Sequence, residues 1–552
     1  MKILLIPSAI LVPKEMRKSL GDIPTALFPV NNTTMLEHIY NRYKKIVDVI
    51  YIIVDENYDL IQNYISVKKI PIQIVKINST HSLGHTIKYG LNHILNQHSN
   101  IDYLYINFGD SLIDEDIYVG NKNFFYFSNI KSDEDWTYVK YKSNVINDIK
   151  DKSGTTINGT LFTPEDNNIF IGLFGINDPY NFNHLINIDT NTQKNIDPFY
   201  IALYKYNLAH DLYAIKTQTW LDTGHISNYL NAKTKVAARE FNTIKIDEKR
   251  GILKKYSINK DKLINEISWY LKLPAQLQYL SPRIYNYSLN SETPYVSMEY
   301  YGYHTLHELL IYGNVTLLKW HNIFQKLLFV LNDMENYQTH KSIEDMKSSL
   351  EKIYQEKTFS RLNHLRNNPS FSIFFEKPIY INDVKFLSLN EYIPLLRNLI
   401  DQLLINSFNG TFNIIHGDLC FSNIFIEDTY NFIRLIDPRG NFGKFDIYGD
   451  SRYEIAKLLH TLEGKYDYII EDMFSIQVHS NRITFTISDY SKDVLKIFKH
   501  VFSQKLYNIR ELRLIEATLF LSMIPLHSDF PDRQMAMLAT GIQILDSIVK
   551  GD

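Results

Sequence analysis

The sequence is short of the residues that would staple or anchor it. Its 552 residues hold one cysteine, Cys420, which excludes an intramolecular disulfide and a cysteine-based zinc site and fits a reducing compartment. No stretch approaches the roughly 20 apolar residues that a membrane-spanning helix needs. The opening run Met1-Lys2-Ile3-Leu4-Leu5-Ile6 stops at Pro7, with Lys14, Glu15, Arg17 and Lys18 close behind, so a buried first strand is expected rather than a signal peptide. Like charges form no block: 58 Lys and Arg face 61 Asp and Glu, a formal net charge of −3. That balance offers no electrostatic surface for nucleic acid or anionic lipid. Repeats, low-complexity tracts and Gly/Ser-rich spacers are missing too. What is there, 45% hydrophobic and 22% charged, describes a globular cytoplasmic protein with length for more than one domain.

Apolar β-like runs alternate with helical patterns through the first half, the pattern of an α/β domain with a largely parallel sheet. Strands are expected at Ile3 to Ile6, Val47 to Val54, Ile70 to Ile77 and Tyr103 to Phe108, with crossover helices at Met35 to Tyr43 and Leu83 to Leu95. Ligands of such sheets bind beyond the carboxyl ends of the strands. Tyr103-Leu104-Tyr105-Ile106-Asn107-Phe108 delivers Gly109 and Asp110 to such an end, which makes Asp110 a candidate metal ligand; a plain turn is the alternative.

Three further segments follow in order: Gly21-Asp22-Ile23-Pro24-Thr25-Ala26-Leu27-Phe28-Pro29-Val30, Ser82-Leu83-Gly84-His85-Thr86-Ile87 and Trp220-Leu221-Asp222-Thr223-Gly224. The combination resembles the sugar-phosphate nucleotidylyltransferases and the related phosphocholine cytidylyltransferases. The resemblance implies that Asp110 and Asp222 jointly hold magnesium on the α-phosphate of CTP or another NTP. It also implies a nucleotide site at Ser8, Ala9, Gly84 and Gly109. The family's glycine-rich loop is here Ser8-Ala9-Ile10-Leu11-Val12-Pro13, without a glycine before Gly21. Branched side chains and a proline lacking its N–H make a poorer anion cradle. The family's lysine is replaced by Thr25, leaving Lys14, Arg17 or Lys18 to supply positive charge. A glycosyltransferase with Asp110 as metal ligand is a further alternative, though Asp-x-Asp is not found after the strand.

A helix over 231–239 is expected to carry the chain out of this domain, dividing it into residues 1–238 and 239–552. The second part opens with a β-hairpin, Thr243 to Ile246 and Ile252 to Ser257, followed by a helix from about Asp261 to Leu271 carrying Glu266. A strand lysine held by a helix glutamate is how kinase-like folds present a cation to ATP phosphates. Lys255, sharing strand parity with Leu253, is the candidate and Lys254 the fallback. Pro294 to Tyr300 reads as a strand running into a hinge, where Met298, Glu299 and Tyr300 would meet the adenine. Leu317 to Tyr337 and Leu395 to Phe408 read as helices.

The most informative stretch is Ile414-Ile415-His416-Gly417-Asp418-Leu419-Cys420-Phe421-Ser422-Asn423, followed by Leu435-Ile436-Asp437-Pro438-Arg439-Gly440. Its spacing suits phosphoryl transfer: Asp418 beside the substrate hydroxyl, Asn423 and Asp437 holding magnesium against ATP phosphates. His416 reads as a loop brace and Cys420 as a small buried residue. Arg439, Lys444 and Arg452 are candidate ligands of an anionic substrate, or ion-pair partners of Asp446, Asp450 or Glu454. The stretch resembles the aminoglycoside phosphotransferase and choline kinase group, with a similar Gly449-Asp450-x-x-x-Glu454-Ile455-Ala456 segment that buttresses the loop. Together the resemblances imply an α/β plus α+β chain, a Rossmann-like nucleotidyltransferase domain followed by a bilobal kinase-like domain. They imply a bifunctional enzyme of surface-polysaccharide precursor synthesis acting on small molecules. A kinase with a binding-only first domain, or a non-catalytic scaffold, is the alternative.

Overall fold

The computed structural model describes residues 1–552 apart from 31–32, 56, 130–135, 143–144, 164–165, 167, 189–195, 225–241, 248, 340–341, 407–410, 428, 488–490 and 552. The helix expected over 231–239 lies outside the described residues. Two compact units are present, Met1–Val236 and Ala237–Asp552.

In the first unit the strands Lys2–Pro7, Val49–Val54, Gln73–Lys76 and Tyr103–Asn107 are parallel. Lys2–Pro7 lies between Val49–Val54 and Tyr103–Asn107. Lys2–Pro7, Val49–Val54 and Tyr103–Asn107 are nearly unbroken apolar runs, as expected of strands buried on both faces, whereas Gln73–Lys76 is half polar and lies at the sheet's edge. The helix Met35–Tyr43 is capped by the Thr34 side chain and Leu83–Gln97 by Ser82, the hydroxyl accepting an otherwise orphaned amide. The sheet is more mixed than expected, because Ile169–Ile176 joins Tyr103–Asn107 antiparallel and carries Phe124–Ser128 and Tyr138–Lys142 beyond it. Among the described residues the sheet has nine strands. Its aromatic-rich side, with Phe125, Phe170, Phe174 and Phe199, completes a continuous core.

The second unit opens with a four-stranded antiparallel sheet ordered Asn242–Asp247, Ile252–Ser257, Tyr295–Glu299, Ile284–Ser288. The helix Lys260–Lys272 covers it through a small core of Leu263, Ile267, Val296 and Met298. The remainder is mainly helical around a larger core, in which Ser451–Leu462 packs on Ile509–Met523 and the latter on Pro531–Lys550. Leu389–Asn406 begins earlier than expected and runs through Pro394. Ser388 and Glu391 explain the start: Glu391 N donates to Ser388 Oγ, and Ser388 N donates to Glu391 Oε2, a reciprocal cap. Between the helices Ile343–Leu350 and Lys357–Arg366 lies one π-helical stretch, Glu351–Glu356. Among the described residues no helix is long and apolar enough to cross a membrane.

Candidate active sites

Asp418 sits on the loop between the strand Asn413–Ile414 and the short turn Phe421–Asn423. Glycine is required at position 417, where φ is +77° and an added Cβ would lie 2.9 Å from that of Arg439. The loop is fastened from below by Glu454, whose two oxygens accept the His416 and Gly417 amides at 2.9 Å each. Burial pushes the Glu454 carboxyl up to about 7 against those two bonds. His416 donates from Nε2 to Ile436 O at 2.9 Å. Burial brings its pKa down to about 4, so it is a neutral brace. Burial likewise raises the Cys420 thiol to about 12, far from an activated thiolate.

Asp418 is held by a residue not anticipated from the sequence. Lys457 Nζ lies 2.8 Å from Asp418 Oδ1, and both are largely shielded from solvent. Burial disfavours the carboxylate, but Lys457 and then Arg439 hold it well below the usual range, so Asp418 is ionised. The available signal was a lysine inside the apolar run Ile455-Ala456-Lys457-Leu458-Leu459, since lysines are almost never buried without a partner. Asn423 donates from Nδ2 to the Asp418 carbonyl at 2.9 Å, which leaves Oδ1 as the donor atom for a cation.

Across the cleft, Lys255 Nζ lies 2.8 Å from Glu266 Oε2 and 2.6 Å from Asp437 Oδ1. Lys254 points to the other face, 3.9 Å above the centre of the Tyr295 ring. Burial opposes the Lys255 ammonium, but Asp437 and Glu266 together raise its pKa; burial pushes Glu266 up to about 7 against Lys255. The helix bearing Glu266 is docked on the loop through three contacts. Trp269 Nε1 donates to Ile415 O at 2.7 Å, and the Asp437 amide donates to the Tyr270 hydroxyl at 3.2 Å. Gly440, at φ +65°, lies so close that an added Cβ would be 1.9 Å from Asn265 O. Asp437 itself has φ +56°, a left-handed conformation that costs a non-glycine residue roughly 1 kcal/mol or more and clusters at functional sites.

At the hinge, Met298 belongs to the small core and the Glu299 and Tyr300 amides donate to Arg283 O and Gly251 O. Arg452, expected as a substrate ligand or an ion-pair partner, takes the second part: its guanidinium is shared by Asp450 and Glu511. Lys444 pairs with Asp345 instead of the carboxylates considered for it. Arg439 lies over the Tyr453 ring at 5.2 Å and packs along Gly417.

In the first unit, Asp110 and Asp222 are brought together by the pairing of Leu221–Asp222 with Ser111–Leu112. A Cβ on Gly224 would lie 2.9 Å from Asp110 Oδ2 and 3.1 Å from Asp222 Oδ1, so both carboxylates converge on that glycine. Ser8 is beside them, since a Cβ on Gly109 would lie 2.9 Å from that of Ser8. The Ser8 and Val12 amides are bonded to Ile53 O and Ile23 O. Arg17 Nε is on Val12 O at 2.6 Å, so this arginine braces the loop, while Lys14 is exposed and Ala9 half-buried. Gly84 donates its amide to Asp197 Oδ1 at 2.8 Å, and Leu83 donates to Oδ2. Asp197, also unanticipated, thus caps the helix Leu83–Gln97 and its own helix Pro198–Ala209.

Among the described residues no three His, Cys, Asp or Glu side chains are grouped to hold a metal unaided. Hard oxygen donors in twos, Asp110 with Asp222 and Asn423 with Asp437, fit magnesium, which takes one or two protein ligands together with phosphate oxygens.

The chain thus joins an α/β unit built on a mixed sheet to a unit made of a small antiparallel sheet lobe and a larger helical lobe. No protein-family model matches it, and no curated protein does. Several solved structures are similar to parts of it. CTP:phosphocholine cytidylyltransferase from Streptococcus pneumoniae aligns at 13% identity and TM-score 0.33, over 42% of this chain and 97% of that one. The inositol-1-phosphate CTP transferase from T. maritima aligns at 16% and 0.31, over 43% and 98%. A thermostable mutant of an aminoglycoside phosphotransferase aligns at 10% and 0.35, over 57% and 92%.

Proposed function

We propose that the second unit transfers the γ-phosphoryl group of ATP to the hydroxyl of a small metabolite, a sugar, alditol or amino alcohol. The first unit then couples that phosphate to the nucleotidyl group of CTP or another NTP, in the cytoplasm, for surface-polysaccharide assembly. The observation that carries the kinase half is the ionised Asp418, held by Lys457 on the loop that also bears Asn423, opposite Lys255, Glu266 and Asp437.

Asp418 accepts a hydrogen bond from the acceptor hydroxyl, orients it for in-line attack on the γ-phosphorus and takes its proton as the bond to ADP breaks. Lys255 turns from Asp437 to the phosphates, with Glu266 keeping it in place. A magnesium ion bound by Asn423 and Asp437 would supply charge neutralisation on the phosphate oxygens. In the first unit Asp110 and Asp222 would hold a second such ion, while the phosphorylated product attacks the α-phosphorus of the NTP and pyrophosphate leaves.

A second reading has its own support. With the Ser8, Val12 and Gly84 amides bonded within the protein, the first unit has fewer donors for a triphosphate, which favours a binding-only module. Mass spectrometry of products from ATP, CTP, GTP, UTP and a substrate library decides between them. Asp418→Ala abolishes phosphorylation under both readings. Asp110→Ala abolishes nucleotide coupling under the first, whereas absence of any coupled product and of NTP binding leaves the second.

A further inference from the structure

One group of charges is left without a role by the phosphoryl-transfer chemistry. Lys357 opens the helix Lys357–Arg366 directly after the π-helical stretch, with Arg361 one turn further on. Like charges four apart on a helix repel, so the pair costs stability unless something else is bound there. One turn before Lys357, Tyr354 packs on Tyr453, ring centres 6.2 Å apart. Arg439 lies over the same Tyr453 ring, and its stem runs along Gly417 next to Asp418. The cations therefore gather around Tyr453 on one flank of the catalytic loop.

The nearby carboxylates are already committed. Asp418 is paired with Lys457, and both oxygens of Glu454 accept loop amides. Arg361 donates to the Ser522 carbonyl, a neutral partner. Lys357 is only partly open to solvent and, among the described residues, makes no ion pair. Burial, and then Arg439, Arg361 and Lys457, push its ammonium down to about 8, with Tyr453 alone pulling the other way. Burial works against ionising Tyr453, yet Arg439, Lys357 and Lys457 bring its pKa down to about 8. This is a site built with an excess of positive charge. ATP has its own cation in Lys255, whose strongest neighbours are Asp437 and Glu266, a different set of charges.

We propose that the acceptor carries an anionic group, carboxylate or phosphate, besides its reacting hydroxyl, and that Lys357 and Arg439, backed by Arg361, bind that group beside Asp418. The inference rests on the kinase reading above and narrows its substrate to acidic metabolites such as sugar acids or sugar phosphates. Cationic amino alcohols are repelled.

The test uses the full chain, magnesium and ATP with four forms of one carbon skeleton: erythritol, erythronate, erythritol phosphate and aminodeoxyerythritol, repeated for glycerol and glucitol. ATP consumption is expected to favour an acidic form over the neutral one by at least about tenfold in kcat/KM, the worth of one charge-assisted hydrogen bond. Whether erythronate or the phosphate ester leads tells carboxylate from phosphate. Lys357→Met is expected to raise the acceptor KM at least about tenfold, with the ATP KM within twofold. The same variant without ligands is expected to melt higher than the wild type, because a repelled cation is removed; inorganic phosphate should then stabilise the wild type more than the variant. Equal or better turnover of neutral or amino forms, a rise in the ATP KM instead, or a lower melting temperature for Lys357→Met overturns the inference while the kinase stands. Failure of every acceptor together with absence of ATP binding overturns the kinase reading and this inference with it.

Discussion

Lys457→Met removes the cation that holds Asp418 and leaves a carboxylate shielded from water with Arg439 as its remaining neighbour of opposite charge. Deleting one partner of a buried ion pair costs about 3–5 kcal/mol. The continued presence of Arg439 places this case at the lower end, about 3 kcal/mol, equivalent to a fall of roughly 4–5 °C in melting temperature for a unit of this size. The double variant Asp418→Asn with Lys457→Met should regain much of that loss, because no charge is left unpaired. The assay is a double-mutant cycle on thermal melting of the full chain, together with the pH dependence of ATP consumption. In Lys457→Met the Asp418 carboxyl titrates higher, so an acid limb absent from the wild type should enter the rate profile as pH falls. A coupling below about 0.5 kcal/mol, or an unchanged pH profile, refutes the view that the pair is desolvated and sets the state of the base.

Gly440→Ala would place a methyl group 1.9 Å from Asn265 O at a positive φ; we expect weakened ATP binding by titration, as the Glu266 helix is pushed off the loop. Glu454 has a folded-state pKa raised to about 7, so the folded protein binds more protons than the unfolded one between about pH 4.5 and 7 and loses stability as pH rises through that window. Glu454→Gln should flatten that dependence, read as melting temperature between pH 5 and 8. Trp269→Phe removes the donor to Ile415 O, with an expected loss of about 1–3 kcal/mol from an unsatisfied buried carbonyl, measured by thermal melting.

Much of the arrangement around Asp418 was legible because it depends on local spacing. Strand parity put Lys255 on the face toward Glu266, and the run from His416 to Asp437 needed only a loop and a short hairpin to bring its polar groups together. Lys457 and Lys357 were not legible, because which face a buried helix turns to a loop distant in sequence is decided by packing. The helix expected from Leu395 instead starts at Leu389 and runs through Pro394, with Ser388 and Glu391 exchanging cap hydrogen bonds at its start. In the first unit the parallel strands were visible as apolar runs. The antiparallel half was not, since apolar runs such as Ile169–Ile176 do not state the direction of their neighbours.

The π-helical stretch Glu351–Glu356 sits just upstream of Lys357 and Arg361. Such a stretch amounts to one residue inserted into an α-helix. Because its wider turn absorbs the extra residue, excising a single residue there would restore ordinary winding and leave Lys357 and Arg361 on the face they now occupy. A single-codon deletion at this point is thus one the helix can absorb, whereas the same deletion inside Lys357–Arg366 would turn every following side chain of that helix by about 100°.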